Sequence, residues 1–462
     1  MANKRRPKKT KPPYRRYGPG VANKNGASEN DGTYQYGNDS DEDEETEAEA
    51  SATTVVKKNI DINEKDEDSS SQLWPISQFQ KIDVLKIAII NEKIKNGEII
   101  EFPVNFNDSR VKTNSPIFPI ELFYIIFKFQ DRTNPKYLRL SKLFYQLYSP
   151  ILYERPILDS HNFFSFVETI TSKKKYGSLV RFLDLSPIIQ SGKNSYVSKV
   201  LRRCSPSLEV FVAPQTSFGF APLVSLRSCN KIKVLDLGLV SETVNLKELF
   251  YSIRNAKELT HLSFPRSSIS CEDYQITEWP PNLWYLRLSG GITDDFLINS
   301  KFPNTISRLE FAHCPQIKEF AIYNFLSKFG DTLTHLSIQY PMPGLSETAM
   351  DFLFTYCPNL KFLQITVDYC SRFLFAEDLL PHLPNGKERP LRTLWIESSG
   401  GLGQSSKIHP DDLIIALMEN RLPCLKNVRI TSKLGWDLHN EDVETLADLL
   451  EEKDGGLFLN YY

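Results

Sequence analysis

The chain has 462 residues, 41% of them hydrophobic, and a formal net charge of −2. This length fits two or three domains or one long repeat array, and the apolar content excludes a chain disordered throughout. Near-neutral charge gives no global nucleic-acid signal, and seven scattered cysteines without a Cys-x-x-Cys pair speak against a disulfide or zinc framework.

In chain order, residues 1–71 divide into a basic head, Lys4 to Arg16, and an acidic block, Asp39 to Glu49, set among Gly, Asn, Ser and Pro. With so little to bury, this tail is expected to be disordered. The run Lys4 to Lys11 reads either as a nuclear import signal or as a solvated tail, and Ser40 before Asp41-Glu42-Asp43 has the setting an acid-directed kinase favours. No signal-peptide segment follows Met1, so the expected location is the nucleus, the cytoplasm or both. Residues 72–115 are read as one helix and a linker, because Ile82, Leu85, Ile89 and Ile90 fall on one helical face.

Residues 116–158 carry a denser pattern. Pro119 suits the first turn of a helix, and Leu122, Ile125, Ile126 and Phe129 follow at steps of three and four. After a polar break from Gln130 to Lys136 the steps resume with Leu140, Leu143, Phe144 and Leu147, and Ser149-Pro150 opens a short segment ending at Glu154. Glu121 and Lys128 interrupt the densest apolar run, Ile120 to Phe129, so no membrane span and no membrane partner are expected. A helical module of about forty residues is too small to be robust unless it buries a face on something else.

This module resembles the F-box in its fungal form. The resemblance rests on Phe118-Pro119-Ile120-Glu121-Leu122, Ile125-Ile126-Phe127, Leu138-Arg139-Leu140-Ser141-Lys142-Leu143-Phe144 and Pro150-Ile151-Leu152-Tyr153. It implies a docking site for a Skp-type adaptor, and through it for a cullin-RING ubiquitin ligase. The residues it assigns to that contact are Phe118, Pro119, Leu122, Ile125, Ile126, Leu138, Leu140, Leu143, Phe144 and Leu152.

From residue 159 to 435 one unit recurs. An apolar residue followed by apolar residues three and five places later begins at Val180, Leu208, Ile232, Leu259, Leu283, Ile306, Leu333, Leu360, Leu391 and Leu425. The spacings of 28, 24, 27, 24, 23, 27, 27, 31 and 34 lie in or near the range of leucine-rich repeats. The fold class is therefore α/β, a leucine-rich-repeat solenoid with a curved parallel sheet and helices on the convex side. Parallel strands sit about 4.8 Å apart while packed helices need roughly 8 to 10 Å, so the strands line the concave side. Helical returns are expected at Leu246 to Ile253, at Ala349 to Phe354, and from Pro410, where a first-turn proline precedes Asp411 and Asp412. Cys229, Cys314 and Cys357 are read as buried structural residues. Residues 436–462 are read as a C-terminal cap in which Val443, Leu446, Leu449 and Leu450 form a helix over the last strand. The aromatic tail after it is left open between a tucked end and a degraded last repeat.

No catalytic motif stands out: there is no phosphate-binding loop, no His-Glu-x-x-His and no Gly-x-Ser-x-Gly. No cofactor or metal is expected. His261 and His335 share one outward strand position, which reads as surface geometry. Binding is the better reading, through outward strand residues of the later repeats: Trp284, Tyr285, Arg287, Arg308, His335, Phe362, Arg392 and Trp395. Their aromatic and basic character points to an acidic or phosphorylated protein substrate, whereas a nucleic-acid partner is not expected because acidic residues are interspersed. An F-box placed before leucine-rich repeats is a recurring order. The chain therefore resembles fungal F-box and leucine-rich-repeat receptors, which implies a non-catalytic substrate-recognition subunit of a Skp, cullin and F-box ubiquitin ligase. A repeat scaffold acting outside any ligase is the alternative.

Overall fold

A computed structural model describes residues 119–460, apart from 131–132, 190–193, 217, 270, 402, 405–406 and 438. The tail, the helix expected around Ile82 to Ile90, and Phe118 lie outside the described residues, as do Tyr461 and Tyr462.

The first elements are helix α1 (Ile120–Lys128), a 3-10 turn (Pro135–Arg139) and helix α2 (Lys142–Glu154). Asn134 opens the turn by accepting from Lys136 N–H at 3.0 Å, and Ser141 caps α2 by accepting from Phe144 N–H at 3.1 Å. Tyr124, Phe127, Leu147, Tyr148 and Ile151 form a core of their own. Within it the Phe127 ring meets Phe144 and Tyr148 edge-on at 5.1 and 5.0 Å between centroids. Pro150 does not begin a separate segment, as the sequence pattern suggests; α2 runs through it. Proline removes one helical donor, and Ser149 Oγ donates to the Tyr145 carbonyl just before it at 2.5 Å.

The module is joined to the first repeat at Glu154. Its backbone carbonyl accepts from Arg181 N–H at 3.0 Å, and its carboxylate lies 3.3 Å from Arg181 Nη1. Arg181 also pairs with Glu209, while Tyr153 stacks on Tyr176 at 4.4 Å. Helices α3 (Phe163–Ser172) and α4 (Lys174–Gly177) complete this end, α3 against the next helix, α5 (Asn194–Cys204).

The sheet has eleven parallel strands. Ten of them begin two residues after the anchors read from sequence: β1 (Phe182–Asp184), β2 (Val210–Val212), β3 (Val234–Asp236), β5 (His261–Ser263), β7 (Tyr285–Leu288), β8 (Arg308–Ala312), β9 (His335–Gln339), β10 (Phe362–Thr366), β11 (Thr393–Glu397) and β12 (Asn427–Thr431). Short strands β4 (Val244–Asn245) and β6 (Ser268–Ile269) pair in a ribbon of their own. The eleventh strand, β13 (Gly456–Asn460), pairs in parallel with β12. The segment expected as a cap thus supplies a helix, α12 (Glu441–Glu451), with Val443, Leu446 and Leu450 buried, and one more strand. Residues 456–460 of the aromatic end thus form a last strand of the sheet.

Returning segments are α6 (Phe220–Leu226), α7 (Leu246–Ile253), α8 (Asp294–Asn299), α9 (Glu319–Phe329), α10 (Leu353–Tyr356) and α11 (Pro410–Met418). Asn245 caps α7 by accepting from Glu248 N–H at 3.3 Å, and Asp412 bonds back to His409 N–H at the start of α11 at 2.9 Å. The return through Ala349 and Met350 is turn rather than helix up to Leu353. The helix-backed face of the sheet holds the main core, from Leu183 and Leu235 to Leu394 and Ile430. On the opposite, open face the apolar residues form two small separate groups, Phe182 with Val210 and Val234, and Tyr285 with Phe362 beside Trp284 and Trp395.

Six of the seven cysteines are buried in the main core, and Cys424 is half-buried. The Cys314 thiol donates to the Leu288 carbonyl at 3.3 Å. Burial pushes the thiols of Cys314 and Cys357 up to about 12, which leaves them unreactive near neutrality.

Candidate functional site

Two surfaces collect the residues singled out from sequence. The first is on α1, which is apolar on both sides. Ile120, Phe123, Tyr124 and Phe127 turn into the module, while Leu122, Ile125, Ile126 and Phe129 are 43%, 40%, 52% and 66% exposed. Leu140, at the end of the 3-10 turn, is 64% exposed. A helix that is apolar all round is normally covered all round. Of the other residues assigned to adaptor contact, Pro119 is exposed. Leu138, Leu143, Phe144 and Leu152 are half-buried against the module's own core, so they shape the surface from below.

The second surface is the open face of the sheet. The expectation that its singled-out residues form an exposed site is corrected for four of them: Tyr285, His335 and Phe362 are buried, and the Arg287 side chain is 11% exposed. The physical reason lies in the parallel register, which brings equivalent positions of successive repeats side by side. Tyr285 pairs with Arg308, Arg308 with His335, and His335 with Phe362, so large side chains cover one another along a row. His335 stacks on Phe362 at 5.8 Å between centroids, and the Arg308 guanidinium lies 4.8 Å over the Trp284 ring. Burial pulls Arg308 down to about 10.

The next row is polar. Arg287 stands opposite Glu310, with Nε 3.0 Å from Oε1, a close charge contact whose N–H is not aligned for a hydrogen bond. Glu310 is completely buried and accepts from Tyr285 Oη at 2.9 Å and from Gln339 Nε2 at 2.7 Å. Ser337 Oγ donates to Gln364 Oε1, and Gln364 Nε2 to Glu397 Oε1, each at 2.9 Å. Asp236, also buried, accepts from Gly238 N–H at 2.8 Å and adds to the field that keeps Arg287 protonated. Burial pushes the carboxyls of Asp236, Glu310 and Glu397 up. Arg287 therefore completes an internal network and does not offer its charge to a ligand.

Arg392 and Trp395 remain half-buried on this face, at the entrance and middle of β11. Arg429 sits beside Trp395 in register. It belongs to the same row; its position four residues after the anchor Leu425 puts it among the outward strand residues read from sequence, though not among those assigned to substrate contact.

His261 and His335 are buried as well, contrary to their reading as surface positions. Each has Nδ1 within hydrogen-bond reach of the preceding threonine hydroxyl, at 2.7 and 2.9 Å. Burial first, and the Arg308 charge second, lower both imidazoles to about 3 from 6.5. Trp284 and Tyr285 pack on His261, and Lys361 adds its charge beside His335. Between those limits the unfolded chain binds more protons, so stability is full above the unfolded value and is lost as pH falls toward 3. The nearby buried carboxyls act with the opposite sign. Urea unfolding at pH 7 and pH 5 should therefore show a fall at the lower pH of up to about 1.4 kcal/mol per unit for each imidazole. The fall should shrink in a His261→Gln and His335→Gln chain, and equal falls in both proteins would remove the imidazoles from the account. Among the described residues no group of three or more His, Cys, Asp or Glu is placed to hold a metal ion.

The chain matches no model of a known protein family. Over 330 residues it is 56% identical to F-box protein YDR306C of Saccharomyces cerevisiae, a match spanning 71% of this chain and 69% of that protein. Over 351 residues it is 34% identical to Protein pof5 of Schizosaccharomyces pombe, spanning 74% of this chain and 98% of that protein. Among solved structures, the leucine-rich repeat-containing protein LegL7 of Legionella pneumophila aligns with a TM-score of 0.35 and 12% identity over 64% of this chain and 89% of that one. The yeast Rad7 and Elc1 complex aligns with a TM-score of 0.30 and 13% identity over 61% of this chain and 87% of that one.

Proposed function

The chain belongs to the fungal F-box proteins, here built on leucine-rich repeats, and from that premise we propose that it is the substrate-recognition subunit of a Skp, cullin and F-box ubiquitin ligase. The observation that carries this reading is the exposed apolar surface of α1, Leu122, Ile125, Ile126 and Phe129, with Leu140 of the same module also exposed. A contiguous apolar surface on a small module marks a protein contact. In this family reading the contact is a Skp-type adaptor, which brings a cullin-RING ligase with it.

The open face of the repeats is then the substrate surface, and its partner a protein with an acidic or phosphorylated recognition element. The receptor performs no chemistry. It acts by proximity, raising the effective concentration of substrate lysines near an enzyme carried elsewhere in the assembly. The anchoring of Arg181 between Glu154 and Glu209 supports this role, because it ties the module to the first repeats. The test is affinity purification of the full chain from a fungal cell. Stoichiometric adaptor and cullin support the reading. Their absence, alongside other stable partners, would point to a scaffold outside the ligase.

A further inference from the structure

The polar row of the open face ends at a buried indole N–H without an acceptor and a guanidinium without an ion pair. Trp395 of β11, Arg429 of β12 and Phe458 of β13 stand side by side in register, on strands about 4.8 Å apart. The Trp395 Nε1–H is buried and meets no acceptor. Arg429 is half-buried and has no ion pair among the described residues. Burial alone lowers its guanidinium, with no carboxylate contributing to its field. The neighbouring carboxylate, Glu397, accepts from the Gln364 amide through Oε1. Arg287, by contrast, has the Glu310 carboxylate as its counter-charge within the same row. Phe458, 50% exposed, is the next residue of this row.

A buried N–H without an acceptor costs free energy, and a partly desolvated guanidinium without a counter-charge costs more. Both costs are removed by one anionic oxygen group, which a guanidinium grips with two parallel N–H donors. Lys433, exposed and close enough to Glu397 to influence its carboxyl, adds to the positive field.

We propose that Trp395 and Arg429 form an anion subsite that holds a carboxylate or phosphate group of the polypeptide substrate, with Phe458 packing on the adjoining apolar part of that residue. This deepens the reading of the open face as the substrate surface and rests on it. The recognition element so defined is one negative group beside an apolar one, at the C-terminal end of the sheet rather than at its centre.

The test uses the full chain and four short peptides of one parent sequence, carrying a phosphoserine, an internal glutamate, a free C-terminal carboxylate, or the C-terminal amide as the neutral control. Binding is read by the indole N–H resonance of Trp395 and by fluorescence anisotropy. At least one anionic peptide should move that resonance saturably, and the peptide that does so identifies the source of the anion. Arg429→Met should weaken its binding about tenfold or more, and Trp395→Phe about fivefold, the range expected for loss of a charge-assisted and a neutral hydrogen bond. No saturable shift with any peptide, or unchanged affinity in Arg429→Met, would overturn the subsite. Tighter binding of a single-stranded RNA through the same two residues would also overturn it. Adaptor capture is measured on the same proteins. Its loss in the unsubstituted chain would strike the ligase reading alone, and its retention with unchanged peptide binding in Arg429→Met would strike the subsite alone.

Discussion

Replacing Leu122 and Ile126 together by aspartate is expected to abolish capture of a Skp-type adaptor while leaving the repeats folded. Both residues are largely exposed, at 43% and 52%, and neither belongs to the core built on Tyr124, Phe127, Leu147, Tyr148 and Ile151. Surface substitutions of this kind change stability by about 0.5 kcal/mol or less. In a complex the same two side chains would be covered. Each then contributes about 1.5 to 3 kcal/mol of apolar burial, and each aspartate adds the cost of an unpaired carboxylate. The sum exceeds about 4 kcal/mol, which is about a thousandfold in affinity. Co-purification from cells and the thermal midpoint of the purified chain measure the two halves of the result. Adaptor retained at wild-type level by the double variant would refute the contact surface. A lowered midpoint would instead show that the outer face of α1 supports the fold.

Arg287→Met should be among the most destabilising single changes on the open face, with a loss of about 3 to 5 kcal/mol. The change strands Glu310, completely buried, with Asp236 buried nearby and no cation left between them. Arg287→Glu, which the sequence alone recommends as a charge-reversal test of binding, would add a third carboxylate to the same place and report on folding instead. Glu310→Gln in the Arg287→Met background should recover much of the loss, since a neutral amide needs no cation and can still bond Tyr285 and Gln339. Gly238 is part of the same device. A Cβ there would stand 2.2 Å from Arg287 Nη1, so Gly238→Ala should displace the guanidinium and reproduce part of the destabilisation. Urea unfolding midpoints of the four proteins give the comparison. An Arg287→Met chain as stable as its parent would mean that the network contributes nothing net.

These two predictions separate what was legible in the residues from what was not. The strand positions were legible because the repeat is a local pattern: an anchor such as Leu333 fixes Leu336 and Ile338 inward and His335 and Ser337 on the other face, through a backbone period of two. Helix α1 was legible for a similar reason, although its steps of three and four describe the exposed side, Leu122, Ile125, Ile126 and Phe129, as readily as the buried one. The pairing of Arg287 with Glu310 was half legible. Both stand four residues after their anchors, Leu283 and Ile306, so the repeat register alone brings them together.

By itself the sequence determined the α/β solenoid, ten of its eleven strands and the helical module before them, since each follows from periodic burial along the chain. Only the tertiary structure decided which outward residues are available. Whether Tyr285, His335, Phe362 or Arg287 meets solvent depends on neighbours one repeat away, on rotamers and on the closeness of parallel strands, none of which is written in a single repeat. Likewise β13 joins the sheet because Gly455 lets the backbone approach Lys426, where a Cβ would come within 1.9 Å of the carbonyl oxygen. Composition names the residues that could bind; burial and pairing select Trp395, whose buried indole N–H meets no acceptor, and Arg429, whose guanidinium has no carboxylate in its field.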